Sequence, residues 1–394
     1  MILIKNIVLF LCKLLHLDPY AIETLFFSPF RLLPLQRKIV FCHFYGKKPA
    51  DEPKFIFDAL HEKDPTIKCI WLVQDPQCAM PDGLKGVRYG SPAAIYHWYT
   101  AKIWIDSCKA TQRAPKRKGQ FFLECWHGSM PLKQVEADVE DILSKDYLDR
   151  AKKDSKIIDL MYSNNDFMRN LFRNRFWYSG EIVKCDEPRM AILNKSSQIR
   201  PKIEELIDGI NDKKVIVYAP TFRNDPCGKC FFWNYSVAVK ACQERFGGDF
   251  VFLTKFHPNT QAGLNCDKLS DSAINASDYP DLQELMAIAD VLITDYSSAM
   301  FEFGKTGKPV FLFCSDLKEY ITKDRPFYFK LNDLPFSISE TESSLAESIL
   351  GFDENEYKEK TSIFYEQIGF EDNGHGDEDI TNIILSKLNG RGAS

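Results

Sequence analysis

The sequence predicts an α/β protein of two Rossmann-like domains facing a cleft, preceded by an apolar helical segment. Three observations predict it. Short apolar runs with β-branched content alternate with helical stretches, which is the pattern of a parallel sheet covered on both faces. The same alternation restarts in the second half, after a link at 187–201. The polar motifs fall at the ends of apolar runs, where open α/β sheets hold their ligands. A length of 394 residues suits two or three domains, and 45% hydrophobic with 27% charged residues excludes a disordered chain.

Residues 1–36 form the leader. Its longest uninterrupted apolar run, Ile7 to Cys12, is six residues, and Lys5, Lys13, His16 and Asp18 break up the rest. A spanning helix needs about 20 apolar residues, and no small-residue cleavage site follows. The expectation is a helix lying in the membrane interface, which would place the protein peripherally on the cytoplasmic face. The first domain is expected over 37–195, with strands at 38–44, 69–73, 101–106, 121–126 and 157–162. Its helices are expected at 53–60, 91–100, 138–156 and 166–176. The second domain, 196–394, is expected to have strands at 215–219, 250–255, 290–295 and 309–313. Helices are expected at 282–289 and from Ser297, and the acidic tail at 353–387 ends as a helix.

The net charge of -5 is uneven. Residues 1–190 carry 29 Lys+Arg against 23 Asp+Glu, and residues 191–394 carry 21 against 32. A net of +6 on the first half suits a face that meets an anionic surface. Cys227 and Cys230 form a C-x-x-C without a second pair, so they read as structural rather than as a zinc site, and twelve irregularly spaced cysteines fit a reducing compartment. Phe167 to Tyr178 interleaves Arg169, Arg173 and Arg175 with aromatic residues, which suits either anionic headgroups or a core helix with a solvated basic face. No nucleic-acid fold signature accompanies this patch, so nucleic acid is not an expected partner.

Four motifs carry the chemistry. In Trp126-His-Gly-Ser-Met-Pro-Leu-Lys133, His127 follows an apolar strand and Gly128 permits a tight turn, which puts an imidazole at a strand tip. In Tyr218-Ala-Pro-Thr-Phe-Arg223, Thr221 and Arg223 project past a strand end, and a guanidinium there can grip phosphate. Lys255 and His257 lie two apart in an extended segment and share a face. Asp290 to Ala299 runs from a strand into Ser297 and Ser298 at a helix start, where unpaired backbone N–H groups favour an anion.

Together these pieces resemble the CDP-glycerol glycerophosphotransferase family of teichoic-acid primases, polymerases and related capsule enzymes. The matching segments, in the family's order, are FCHFYGKKPADEP at 41–53, Trp126 to Lys133, Ser163-Asn164 with Pro188-Arg189, Ala219 to Arg223, Phe256 to Pro258, and Ala289 to Pro309. The resemblance implies a glycosyltransferase-B architecture, a CDP-alditol donor and a lipid-linked or glycan acceptor. It implies His127 as catalytic base. His257, Ser297 and Ser298 fall at the donor phosphates, and Arg223 and Asp295 near the donor. Ser129 stands where the family has Thr, Glu302 is the acid in the helix after the serine pair, and the family's G-x-P-R-x-D segment lacks its Gly and last Asp at 186–191.

The expected reaction transfers an alditol phosphate, with His127 and His257 catalytic. Ser129, Thr221, Arg223, Lys255, Asp295, Ser297, Ser298 and Glu302 are expected to bind substrate. No Asp-x-Asp motif is present, so the sequence requires no cofactor, and a divalent metal stays open. The rivals are a CMP-sialic-acid transferase of the same fold and a non-catalytic membrane- or polymer-binding protein.

Overall fold

The structure, a computed structural model, describes residues 26–78, 80–111, 113–223, 229–257, 260, 272–371 and 374–390. Two parallel sheets organise it. The first contains β1 (Gln36–Cys42), β2 (Lys68–Val73), β3 (Leu84–Arg88), β4 (Ala101–Asp106), β5 (Phe121–Glu124), β6 (Leu160–Ser163) and β7 (Glu181–Lys184), in the order β3-β2-β1-β4-β5-β6-β7. The second contains β8 (Lys214–Tyr218), β9 (Phe250–Thr254), β10 (Ala273–Asn275), β11 (Val291–Thr294), β12 (Val310–Phe313) and β13 (Ser337–Ser339), in the order β10-β9-β8-β11-β12-β13. Every pairing within both sheets is parallel.

The central strands are apolar on both faces because helices cover both, so β4, β8 and β11 are buried almost end to end. Trp98 and Trp104 pack edge to face at 5.0 Å, and each donates or packs within the first core. The covering helices start where a side chain can accept an otherwise orphaned backbone N–H. Ser91 accepts from Ala94 N, Asn165 from Met168 N, and Asp281 from Gln283 N.

The first lobe is completed from the far end of the chain. The Gly376–Asn389 helix lies on the first sheet's face, where Ile380, Ile384 and Leu388 join Ile39, Phe41 and Ile103 in one core. The span assigned from the sequence to the second domain therefore gives its last helix to the first.

The Phe167–Tyr178 segment takes its core-helix reading. Met168, Leu171, Phe172 and Phe176 are buried, Arg169 pairs with Asp166, and Arg175 pairs with Asp138 at 2.7 Å. Most of the leader, residues 1–25, and Cys227 lie outside the described residues; Cys230 is a half-buried free thiol. Among the described residues no helix is long and apolar enough to cross a membrane.

Candidate active site

Each sheet reverses its strand order once, between β1 and β4 in the first and between β8 and β11 in the second. Neighbouring connections leave in opposite directions at such a point and open a crevice beyond the strand ends. The two crevices face each other and form one cleft of about 740 Å³ lined by both lobes.

His127 lines it from the first lobe. The residue before it, Trp126, has φ +59°, a left-handed backbone that a tryptophan adopts only when its surroundings enforce it. That kink ends the strand and turns the next side chain into the cleft. His127 Nδ1 lies 2.7 Å from the Ser107 carbonyl oxygen, so Nδ1 carries the proton and donates it, leaving the Nε2 lone pair as the acceptor. Burial is the chief cause that holds its pKa below the ordinary 6.5, opposed by the Ser107 bond. The ring is neutral at physiological pH and tautomerically set to take a proton at Nε2.

The second lobe faces it with Thr221, Lys255, His257, Ser297 and Ser298, all on the cleft wall. The lobes come close here: a Cβ placed on Gly128 would sit 3.6 Å from Ser298 Oγ. Ser297 Oγ accepts from Ala299 N at 3.3 Å, while Ser298 makes no such cap bond. Thr221 Oγ1 is buried without a hydrogen-bond partner, although its backbone N–H donates to Asp295 at 2.8 Å. An unsatisfied hydroxyl on a cleft wall is a group waiting for a ligand. Lys255 Nζ donates to the Ser277 and Tyr279 carbonyls at 2.8 and 2.5 Å, and burial lowers its pKa to about 8. His257 is exposed on the wall, 5.7 Å ring to ring from Phe222.

Four expected binding residues do not line the cleft. Arg223 is spent on protein carboxylates. Its Nε and Nη2 reach Asp316 at 2.7 and 3.1 Å, its Nη2 also reaches Asp295 at 2.8 Å, and its Nη1 reaches the Thr221 carbonyl at 2.5 Å. With its guanidinium engaged this way, it braces the Thr221 loop rather than holding phosphate. Asp295, 2% exposed, accepts from Arg223, Thr221 N and Tyr296 N, so it ties the ends of β8 and β11 together. Ser129 and Glu302 are buried against each other across the lobes, with Ser129 N and Oγ donating to Glu302 Oε1 at 3.1 and 3.3 Å. Glu302 also accepts from Gln283 Nε2 and from Arg189 Nη2, the latter at 2.8 Å. These residues set the geometry of the cleft from behind its wall.

The cleft also holds residues that the motif reading left without roles. His43 follows β1, and its Nδ1 meets Ser107 Oγ at 2.9 Å, so one serine anchors two imidazoles. Its place after an apolar strand repeats the pattern that singled out His127. Asp51, at φ +58°, pairs with Arg189 at 2.5 Å and donates its backbone N–H to Asp281 of the second lobe at 3.1 Å. Asp51 lies in the 41–53 segment that carries the resemblance, but its role arises from a contact 230 positions away in the chain.

Residues 25–386 match the family model described as CDP-glycerol:poly(glycerophosphate) glycerophosphotransferase. The teichoic acid glycerol-phosphate transferase of Staphylococcus aureus is 29% identical over 387 residues, spanning 92% of this chain and 97% of that protein. The teichoic acid poly(glycerol phosphate) polymerase of Staphylococcus epidermidis is 29% identical over 364 residues, 88% of this chain, and this chain spans 50% of that relative's length. Among solved structures, the wall teichoic acid polymerase TagF superposes with a TM-score of 0.81 at 26% identity over 98% of both chains. Two parallel sheets around a cleft resemble TagF, and a strand-tip histidine faces hydroxyls at an opposing helix start. With a family match over nearly its whole length, the chain belongs to the CDP-glycerol:poly(glycerophosphate) glycerophosphotransferase family.

Proposed function

We propose that this chain transfers glycerol phosphate from CDP-glycerol to a hydroxyl of a lipid-linked or glycan acceptor in teichoic acid synthesis, releasing CMP. The observation that carries the reading is the neutral His127, its Nδ1 committed to Ser107, opposite Thr221, Ser297 and Ser298 across one cleft. The donor diphosphate meets Ser297, Ser298, Thr221, Lys255 and His257, groups that can donate to phosphate oxygens. Nε2 of His127 takes the proton of the acceptor hydroxyl. The oxygen attacks the phosphorus that bears glycerol, the bond from that phosphorus to the bridging oxygen breaks, and CMP leaves with the bridging oxygen. Negative charge spreads over the phosphoryl oxygens in the transition state, so fixed donors and positioning supply most of the acceleration.

The His127→Ala enzyme tests this. Turnover, read as CMP release, falls by at least 10³-fold, while CDP-glycerol affinity by calorimetry stays within about threefold. Turnover within tenfold of wild type removes His127 as the base. A panel of CDP-glycerol, CDP-ribitol and CMP-sialic acid tests the donor; faster CMP release from either of the other two overturns the glycerol assignment.

The same reading places the protein peripherally on the cytoplasmic membrane face. Supporting it, Phe26 and Leu32, in the described end of the leader, are 77% and 84% exposed, beside Arg31 and Arg37. Deleting residues 1–36 should abolish co-flotation with anionic liposomes and leave CMP release to a soluble acceptor intact; unchanged flotation overturns it.

A further inference from the structure

On the first-lobe wall, apart from the diphosphate groups, the cleft is lined by Val135, Glu136, Leu143 and Tyr147. Glu136 is 4% exposed, yet it belongs to the wall. One oxygen, Oε1, accepts from Tyr147 OH at 2.5 Å. The other, Oε2, has no hydrogen-bond partner; Lys109 Nζ stands 3.6 Å away, and its own bond goes to the Phe176 carbonyl at 2.6 Å. The backbone at Glu136 is left-handed, φ +54°, a conformation a glutamate holds only under constraint from its surroundings. A carboxylate oxygen held only by a 3.6 Å ion pair keeps capacity to accept a hydrogen bond from a ligand.

The chemistry of that ligand follows from the surroundings. Lys109 already balances the carboxylate charge, so a second cation gains little. An anionic phosphate is repelled. A hydroxyl donates without adding charge, and the half-buried Leu143 and Tyr147 offer apolar surface to the C–H face of a polyol. Polyol hydroxyls have two sources in this reaction, the donor's glycerol and the acceptor's terminal unit. The position on the first lobe, whose imidazole takes the acceptor proton, favours the acceptor.

We propose that Glu136, oriented by Tyr147, is the subsite for the neutral, hydroxyl-bearing end of the acceptor. This rests on the glycerophosphotransferase reading above. The probe is octyl phosphoglycerol, which ends in a free vicinal diol, compared with the same molecule phosphorylated on its terminal hydroxyl. Calorimetry on the full chain measures each, together with CDP-glycerol and CDP. Wild type should bind the diol-ended probe at least tenfold tighter than the phosphorylated one. Glu136→Gln should weaken the diol-ended probe at least tenfold and leave CDP-glycerol within twofold. Tyr147→Phe, which frees Oε1 but keeps the carboxylate, should weaken it two- to fivefold. An unchanged probe affinity in Glu136→Gln, or tighter binding of the phosphorylated probe, overturns the subsite. A loss confined to CDP-glycerol relative to CDP overturns the acceptor assignment. Failure of the transferase reading is visible separately, as no binding of CDP-glycerol by the wild-type protein.

Discussion

His127 and His43 share one anchor and have opposite uses for it. The Ser107 carbonyl fixes the tautomer of His127, and its hydroxyl holds His43. Because burial holds the His127 pKa below 6.5, the base form persists into mildly acidic solution. The acid limb of kcat/KM should therefore have its midpoint below pH 6.5, and a midpoint above it contradicts the environment described. His43 has a stability consequence. Burial lowers its pKa to about 4, so between pH 6.5 and 4 the unfolded chain binds a proton that the folded site refuses. Stability is then lost as pH falls through that window, by about 3 kcal/mol at its lower end. His97, also depressed by burial, acts with the same sign. Urea titrations at pH 7 and pH 4.5 should show the loss, and His43→Gln should reduce it.

At the scale of elements, what could be read from the chain depended on how buried each strand is. The interior strands announce themselves because both faces must be apolar. The unread ones, β3, β7, β10 and β13, are the four sheet edges, with sequences LKGVR, EIVK, AIN and SIS, each with exposed positions. An edge strand is paired on one side only, so its apolar signal falls to that of a loop. The site divides in the same way. Residues at strand tips, His127, Thr221, Lys255, His257, Ser297 and Ser298, were legible because a strand end is local information. The roles of Arg223 and Glu302 were not, since their partners lie 93 and 173 positions away. Two variants separate these classes. Ser298→Ala should weaken CDP-glycerol about tenfold by calorimetry, through loss of a hydroxyl to a charged phosphate, with unchanged stability. Arg223→Ala should destabilise the protein by about 3–5 kcal/mol in denaturant titration, because it strands two carboxylates, Asp295 and Asp316. Equal stability in that variant would return Arg223 to the list of ligand-binding residues.

Across the whole molecule, the lobes are held by an apolar seam, where Met130, Leu132 and Phe167 of the first lobe join the second lobe's core, and by polar contacts beside it. Glu302 gathers Ser129, Gln283 and Arg189, and Arg189 reaches on to Asp51. Lys133 pairs with Asp324 at 3.0 Å, and Tyr328 OH donates to Asp138 at 2.7 Å. Glu302→Ala leaves Arg189 its Asp51 partner but takes the acceptor from the buried Ser129 and Gln283 and one of the two carboxylates from Arg189, and should cost about 1–3 kcal/mol. Small-angle scattering should show a larger radius of gyration for that variant, and an unchanged radius would mean that the remaining contacts suffice.

The final helix gives this arrangement a mechanical character. The chain leaves the first lobe just past Asp186 and comes home just before Gly376, and at that place the two passages touch. Gly374 N donates to Asp186 Oδ2 at 3.0 Å, and a methyl group on Gly376 would fall 2.7 Å from the Asp186 backbone carbonyl. Two strands of covalent chain side by side act as the spine of a book. Such a pairing restrains sliding and twisting of one lobe against the other, which keeps the His127 imidazole in register with the Ser297 and Ser298 hydroxyls across the cleft.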